Sequence, residues 1–129
     1  MIALDTHALL WWALDPAQLS ARAAATLRRM ELEGGFASSI SFWELGVKVK
    51  KKQLEMGMSI EEFARRIERS GTLEVVPVDT TVWLTSLSLA WEHRDPADRV
   101  IVATALAKEV PLLTKDESIR RFRGVKTVW

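Results

Sequence analysis

Met1-Ile2-Ala3-Leu4-Asp5 opens the chain, and Thr6-His7-Ala8-Leu9-Leu10-Trp11-Trp12-Ala13-Leu14 follows, up to Asp15-Pro16. A short apolar run closed by an acid reads as a buried strand over residues 1–5. Thr6 to Leu14 then reads as a short helix, ended by Asp15-Pro16. A strand that passes directly into a helix is the first half of a β-α-β unit, and the rest of the chain repeats the alternation. Leu19 to Leu32 has Ser20 near its start and carries Leu19, Ala23, Leu27 and Met30 on one helical face, and Gly34-Gly35 breaks it. Phe36–Ser39 reads as a short strand and Ser41 to Lys52 as a helix whose Lys50-Lys51-Lys52 end complements the helix dipole. Ser59 to Arg69 has a capping box, Ser59-x-x-Glu62, and an apolar stripe of Ile60, Phe63, Ala64 and Ile67. Gly71 ends it. Leu73–Val78 reads as a strand, and Asp79 caps a helix reaching Trp91 with Trp83, Leu87 and Ala90 inward. Pro96–Val110 is apolar on nearly every side through its middle, so it belongs at the centre of the fold. Leu112–Thr114 and Val125–Trp129 complete the strands. This order predicts one α/β domain over residues 1–129, a mostly parallel sheet with helices on both faces.

Bulk properties narrow the function. The 129 residues are 48% hydrophobic and 27% charged, an ordinary globular balance. The formal net charge of +1 provides no global basic field, so any nucleic-acid binding must come from local clusters. The absence of Cys excludes disulfides and thiolate chemistry and fits a reducing compartment. Asp5 interrupts the apolar N-terminus, which argues against a signal peptide, and no uncharged run approaches the ~18 residues of a membrane span. A soluble cytoplasmic protein is expected.

Four acids then attract notice: Asp5, Glu44, Asp98 and Asp116. Asp5 and Asp116 each follow an apolar strand, Asp98 opens the most apolar helix, and Glu44 lies between Trp43 and Leu45. In an α/β fold the carboxyl ends of the strands and the first turns of the following helices share one sheet edge. Carboxylates meeting there at about 4 Å repel by roughly 4 kcal/mol per pair at an effective dielectric of about 20. Protonation relieves part of that repulsion, but four acids at neutral pH point to a divalent cation. Oxygen donors favour Mg²⁺ or Mn²⁺. Zinc is disfavoured, because Cys is absent and His7 and His93 lack ligand spacing. Each acid also has a plain structural reading. Asp5 can cap the first helix, Ser41-x-x-Glu44 is a capping box, and Asp116 can cap a segment over residues 117–122. Asp95-Pro96-x-Asp98 has an N-cap acid, a first-turn proline and a first-turn acid.

Five clusters in order make the reading more specific. Leu4-Asp5-Thr6 comes first, followed by Ser39-Ile40-Ser41-Phe42-Trp43-Glu44-Leu45. His93-Arg94-Asp95-Pro96-Ala97-Asp98-Arg99 comes next, leading through Ala103-Thr104-Ala105 to Leu112-Leu113-Thr114-Lys115-Asp116. Over essentially its whole length the chain resembles PIN-domain proteins, in particular the VapC-type toxins of toxin–antitoxin pairs. The resemblance implies a three-layer α/β/α sandwich and a Mg²⁺- or Mn²⁺-dependent endoribonuclease. It further implies in-line attack by water that leaves a 5′-phosphate and a 3′-hydroxyl. Asp5, Glu44, Asp98 and Asp116 match the acidic positions, with Asp95, Thr114 and Thr6 in accessory places. Asp98 rather than Asp95 is taken as the direct ligand because it begins the apolar helix. Ala97 departs from the pattern, since relatives often carry a bulky aromatic there. The resemblance also implies a homodimer and a small VapB-type antitoxin whose tail blocks the acidic site.

An RNA substrate needs positive charge near the acids. Arg99 and Lys115 adjoin proposed ligands, and Arg94 and Lys48 lie close in sequence to others; the lysines of 50–52 read better as a solvated helix end. Adjacent Trp11 and Trp12 cannot both enter one core. One reading leaves one of them partly exposed. The other makes an apolar groove for an antitoxin or a second subunit, with Met56 and Met58 contributing. A phosphotransfer receiver domain would need adjacent acids after the first strand, and an aspartyl phosphatase would need an Asp where His7 stands. The remaining rival is a catalytically silent PIN-like module that binds RNA or protein.

Overall fold

The computed structural model describes residues 1–129. Five strands form a single all-parallel sheet: β1 (Ile2–Leu4), β2 (Gly35–Ser38), β3 (Leu73–Val76), β4 (Leu112–Leu113) and β5 (Thr127–Val128). Seven helices connect them: α1 (Thr6–Leu14), α2 (Ala21–Glu33), α3 (Ile40–Lys50), α4 (Ile60–Ser70), α5 (Thr80–Ser88), α6 (Pro96–Ala107) and α7 (Glu117–Arg121). The strand order is β3-β2-β1-β4-β5. The chain therefore winds outward from β1 through β2 to β3, then crosses back to β4 on the other side of β1. That reversal puts the topological switch point between the carboxyl ends of β1 and β4, where open α/β sheets bind ligands.

Alternation along the strands builds the layers. Ile2, Leu4, Ala37 and Leu113 face one side, packing with Leu9 and Leu10 of α1, Leu27 and Met30 of α2, and Phe63 and Ile67 of α4. Ala3, Phe36, Val76 and Leu112 face the other, against Ile101, Val102 and Ala105 of α6 and Ile119 of α7. The result is an α/β/α sandwich. As its composition requires, α6 is buried almost all round, from Val100 to Ala105. No helix is long and apolar enough to cross a membrane.

The structure corrects the sequence reading in several places. β3 stops at Val76 because Pro77 has no N–H to continue the ladder. α5 ends at Ser88, short of Trp91, and its inward residues are Val82 and Ser86. Trp83, Leu87 and Ala90 lie outside, with Leu87 75% exposed. The capping box of α3 does not form. Ser39 occupies the cap without a side-chain bond, and Ser41 is fully buried with its hydroxyl 3.0 Å from that of Thr6. Met56 and Met58 pack toward the core that includes α1, α2 and α4, and neither lines the pockets at Trp11 and Trp12. Both tryptophans of α1 are half-buried, Trp11 against Trp129 and Trp12 bonded through Nε1 to Glu31.

Arg99 is the largest correction. Instead of facing an RNA-binding surface, its guanidinium donates to the backbone carbonyls of Ser86, Leu89, Trp91 and His93. The segment between α5 and α6 has no helix or strand ladder of its own, so these bonds hold its shape. Arg99→Lys keeps the charge but cannot span four carbonyls with one ammonium group. It is expected to lower stability by roughly 2–4 kcal/mol in urea unfolding; wild-type stability with weaker RNA affinity would instead assign Arg99 to phosphate binding.

Candidate acidic site

Asp5 leaves β1 at the switch point. Its backbone N–H pairs with the Leu113 carbonyl at 3.1 Å, which sets the carboxylate beside the end of β4. One carboxylate oxygen accepts from the Ala8 N–H at 2.8 Å, capping α1, and the other accepts the Thr114 hydroxyl proton. The same Thr114 oxygen accepts from the Asp116 N–H at 3.0 Å, and Asp116 caps α7 through Ile119 N–H. One buried hydroxyl thus links the two acids.

The other acids come from the helices. Thr6 donates to Glu44 of α3, and its oxygen also meets Ser41. Asp95 caps α6 through the N–H groups of Ala97 and Asp98, and Asp98 projects from the first turn with Oδ2 2.7 Å from Nε2 of His93. Asp5, Glu44, Asp95, Asp98 and Asp116 all line one open pocket of about 500 Å³, with Thr6, His7, Trp11, Lys48 and Lys115. Five carboxylates therefore face two ammonium groups.

The electrostatics follow from this crowding. Asp5 is only 6% exposed, and its pKa is pushed up to about 6. Burial is the main cause, with the Asp116 and Glu44 charges adding to it; the bonds from Thr114 and Ala8 oppose it. The Asp98 carboxyl is also raised to about 6, first by burial and then by Asp95 and Asp116, against the His93 hydrogen bond. His7 is pushed below its ordinary value by burial and by the Lys48 charge. Oxygen donors of this kind, crowded and partly desolvated, fit a hard divalent cation. Asp95 and Asp98 both face the pocket, so the geometry keeps both as candidate ligands, although Asp95 Oδ1 is already occupied in capping.

Not every expected residue is here. Lys48 and Lys115 reach the pocket, and Lys115 Nζ also sits 5.7 Å from the Trp11 ring. Arg94 is exposed and outside its lining, and Arg99 is committed to backbone. Sequence reasoning missed His7, Trp11 and His93 at the site. His93 has donor atoms clustered with those of Asp95 and Asp98, all within 4.8 Å. Its i, i+5 separation from Asp98 gave no signal, because the two are joined by an irregular loop. Beside the pocket, sharing Glu44 and Asp95, lies an apolar groove of about 820 Å³ lined by Ile40, Trp43, Val78, Trp83, Pro96 and Ala97. Ala97 is therefore at the border between the groove and the acids.

Residues 2–125 match the PIN domain family. The chain belongs to the PIN-domain family. This PIN domain is 28% identical to Ribonuclease VapC22 of Mycobacterium tuberculosis (strain ATCC 25618 / H37Rv) over 132 residues, covering 99% of this chain and 98% of that one. Among solved structures it is similar to FitAcB from Neisseria gonorrhoeae, with 25% identity, a TM-score of 0.71 and coverage of 100% of this chain and 97% of that one. VapBC2 from Rickettsia felis, bound to a DNA fragment from its promoter, shares the fold at 19% identity and a TM-score of 0.68, over 99% and 98% of the two chains.

The raised carboxyls make the metal-free protein sensitive to pH. A carboxyl whose folded pKa lies above its unfolded value contributes stability at low pH that is lost as pH rises through the folded value. The window runs from about pH 4, where unfolded Asp titrates, to just above the value of about 6 for Asp5 and Asp98. In EDTA, stability is expected to fall across this window, by about 2–3 kcal/mol from Asp5 alone. Asp5→Asn should flatten the slope in thermal unfolding, and saturating Mn²⁺ should oppose it. A metal-free melting curve independent of pH would contradict this account.

Proposed function

We propose that this PIN domain is a metal-dependent endoribonuclease, the toxin of a toxin–antitoxin pair. The observation that carries the reading is the convergence of five carboxylates from four segments at the switch point, with Lys48 and Lys115 at the rim. Its likeness to a protein named Ribonuclease VapC22 supports the activity, and its likeness to VapBC2 supports the pairing.

Asp5, Glu44, Asp98 and Asp116 would hold Mg²⁺ or Mn²⁺, with Asp95, Thr6 and Thr114 as accessories. Such an ion supplies Lewis acidity for water activation and offsets charge developing on the scissile phosphate. The protein does the positioning. Thr114 keeps Asp5 and Asp116 in register, and Thr6 orients Glu44. Lys48 and Lys115 take the phosphates beside the scissile one, and Trp11 limits the motion of Lys115. Water would attack the phosphorus in line as the P–O3′ bond breaks, leaving a 5′-phosphate and a 3′-hydroxyl, so the 2′-hydroxyl is not needed.

The excess of negative charge also suits a partner segment that seats a cationic group in the pocket, which is the chemistry we assign to a VapB-type antitoxin. A homodimer would cover the apolar groove. Trp43 is 64% exposed and Trp83, Leu84 and Leu87 stand out on the neighbouring helix, more apolar surface than a monomer normally leaves in water.

Two measurements test this reading. Purified protein without antitoxin should cut single-stranded RNA or a tRNA pool with Mg²⁺ or Mn²⁺ and fail in EDTA. Asp98→Asn and Asp5→Asn should lose roughly 10²–10⁴ in rate with the fold intact. Wild-type cleavage by Asp98→Asn would show the site to be wrong, and folded wild-type protein that neither cuts nor binds metal would point to a silent binding module. Separately, light scattering should give twice the 14.6 kDa chain mass for wild type and a single chain for Trp83→Glu; a monomeric wild type would remove the dimer from the proposal.

A further inference from the structure

His93 is absorbed by none of the roles above, yet it is the side chain most tightly placed around Asp98. Nε2 lies 2.7 Å from Asp98 Oδ2. The imidazole stacks on Trp91 with ring centroids 4.4 Å apart and planes 15° from parallel, and Trp91 stacks in turn on Phe122 at 4.8 Å and 12°. The three rings make a column that fixes the plane of the imidazole. The backbone beneath it is fixed as well. Arg99 donates to the carbonyls of both Trp91 and His93. Asp98 and Arg99 are neighbours on the first turns of α6, so the arrangement closes on itself. The helix that carries the acid also carries the cation that shapes the loop, and the loop returns an imidazole to the acid.

We propose that His93 is a positioning residue for Asp98. With the carboxylate ionised, the Nε2–H group donates a hydrogen bond to Oδ2, which leaves Oδ1 free to serve as the ligand oxygen. Carboxylate ligands oriented by such hydrogen bonds lose about 10–100-fold in metal affinity or activity when the donor is removed. An unsupported Asp98 would rotate about its side-chain torsions beside Asp95 and Asp116, whose charges repel it. The inference rests on the reading of Asp98 as a metal ligand. A competing role, direct ligation by the imidazole with Asp95 and Asp98, would require Nε2 to give up its bond to Asp98.

The test is Mn²⁺ binding to the purified full chain by calorimetry, with thermal unfolding of the metal-free protein and RNA cleavage alongside. His93→Phe keeps a ring in the stacked column and removes the donor. His93→Gln restores an N–H near the place of Nε2 without an aromatic ring. Asp98→Asn reports on the underlying reading. Expected are Mn²⁺ affinity about 10–100-fold weaker for His93→Phe, a metal-free melting temperature close to wild type, lower kcat with unchanged KM for RNA, and substantial recovery in His93→Gln. Mn²⁺ affinity unchanged in His93→Phe but weakened in Asp98→Asn would overturn the positioning role and spare the site. His93→Gln as weak as His93→Phe would assign the ring itself to the metal and overturn it too. Unchanged affinity in Asp98→Asn would remove the ligand reading and the inference with it.

Discussion

The Thr114 hydroxyl is the pivot of the molecule. It donates to Asp5 at the end of β1 and accepts from the backbone of Asp116 after β4, so one oxygen spans the two strands between which the chain reverses direction. It is wholly buried, and an unpaired hydroxyl or carboxylate there would be costly. No buried side-chain polar atom lacks a partner. Backbone pairing sets the parallel register of β1 against β4, and the Thr114 contact joins the acid that caps α1 to the turn that enters α7. Everything that needs Asp5 and Asp116 close together inherits its geometry from it.

The acids do two jobs at once. Asp5, Asp95 and Asp116 each accept backbone N–H groups at a helix start, as simple capping residues would, and each also faces the pocket. The structural and functional readings of these residues therefore do not compete. A carboxylate needs only one oxygen for the cap, and the N-terminal partial charge of the helix partly offsets the repulsion from its neighbours. Glu44 differs. It caps nothing, sits in the middle of α3 and meets Thr6 at the edge of the pocket.

How far the sequence could be read depended on the range of the interaction. The apolar stripes of α2 and α4 are local patterns of helical period, with Ala23, Leu27, Met30, Phe63 and Ile67 buried where that period puts them, and the capping acids Asp5, Asp79, Asp95 and Asp116 are local signals as well. The inward side of α5 is not legible in its sequence, because Trp83, Leu84 and Leu87 are all apolar and leave no clear polar face. Ser41 had the spacing of a capping box, but the buried Thr6 hydroxyl, distant in sequence, captured it. Arg99 and His93 were illegible for a related reason. Both act across the irregular segment between α5 and α6, where the partners are backbone carbonyls and a stacked ring that no one-dimensional pattern encodes.

The chain is nearly neutral overall, yet its pocket is strongly acidic, with only Lys48 and Lys115 at the edge. On the proposed function, a substrate that is itself a polyanion meets no broad attractive field, so few phosphates are neutralised and the salt dependence of binding should be shallow. Affinity must then depend on a cation that cancels the pocket's charge and on contacts of shape. On the same proposal, an enzyme that cannot hold RNA by its backbone alone would owe its specificity to the local fold of the RNA. The nearly neutral composition, which leaves nucleic-acid binding to local clusters, fits on this reading a selective RNA partner.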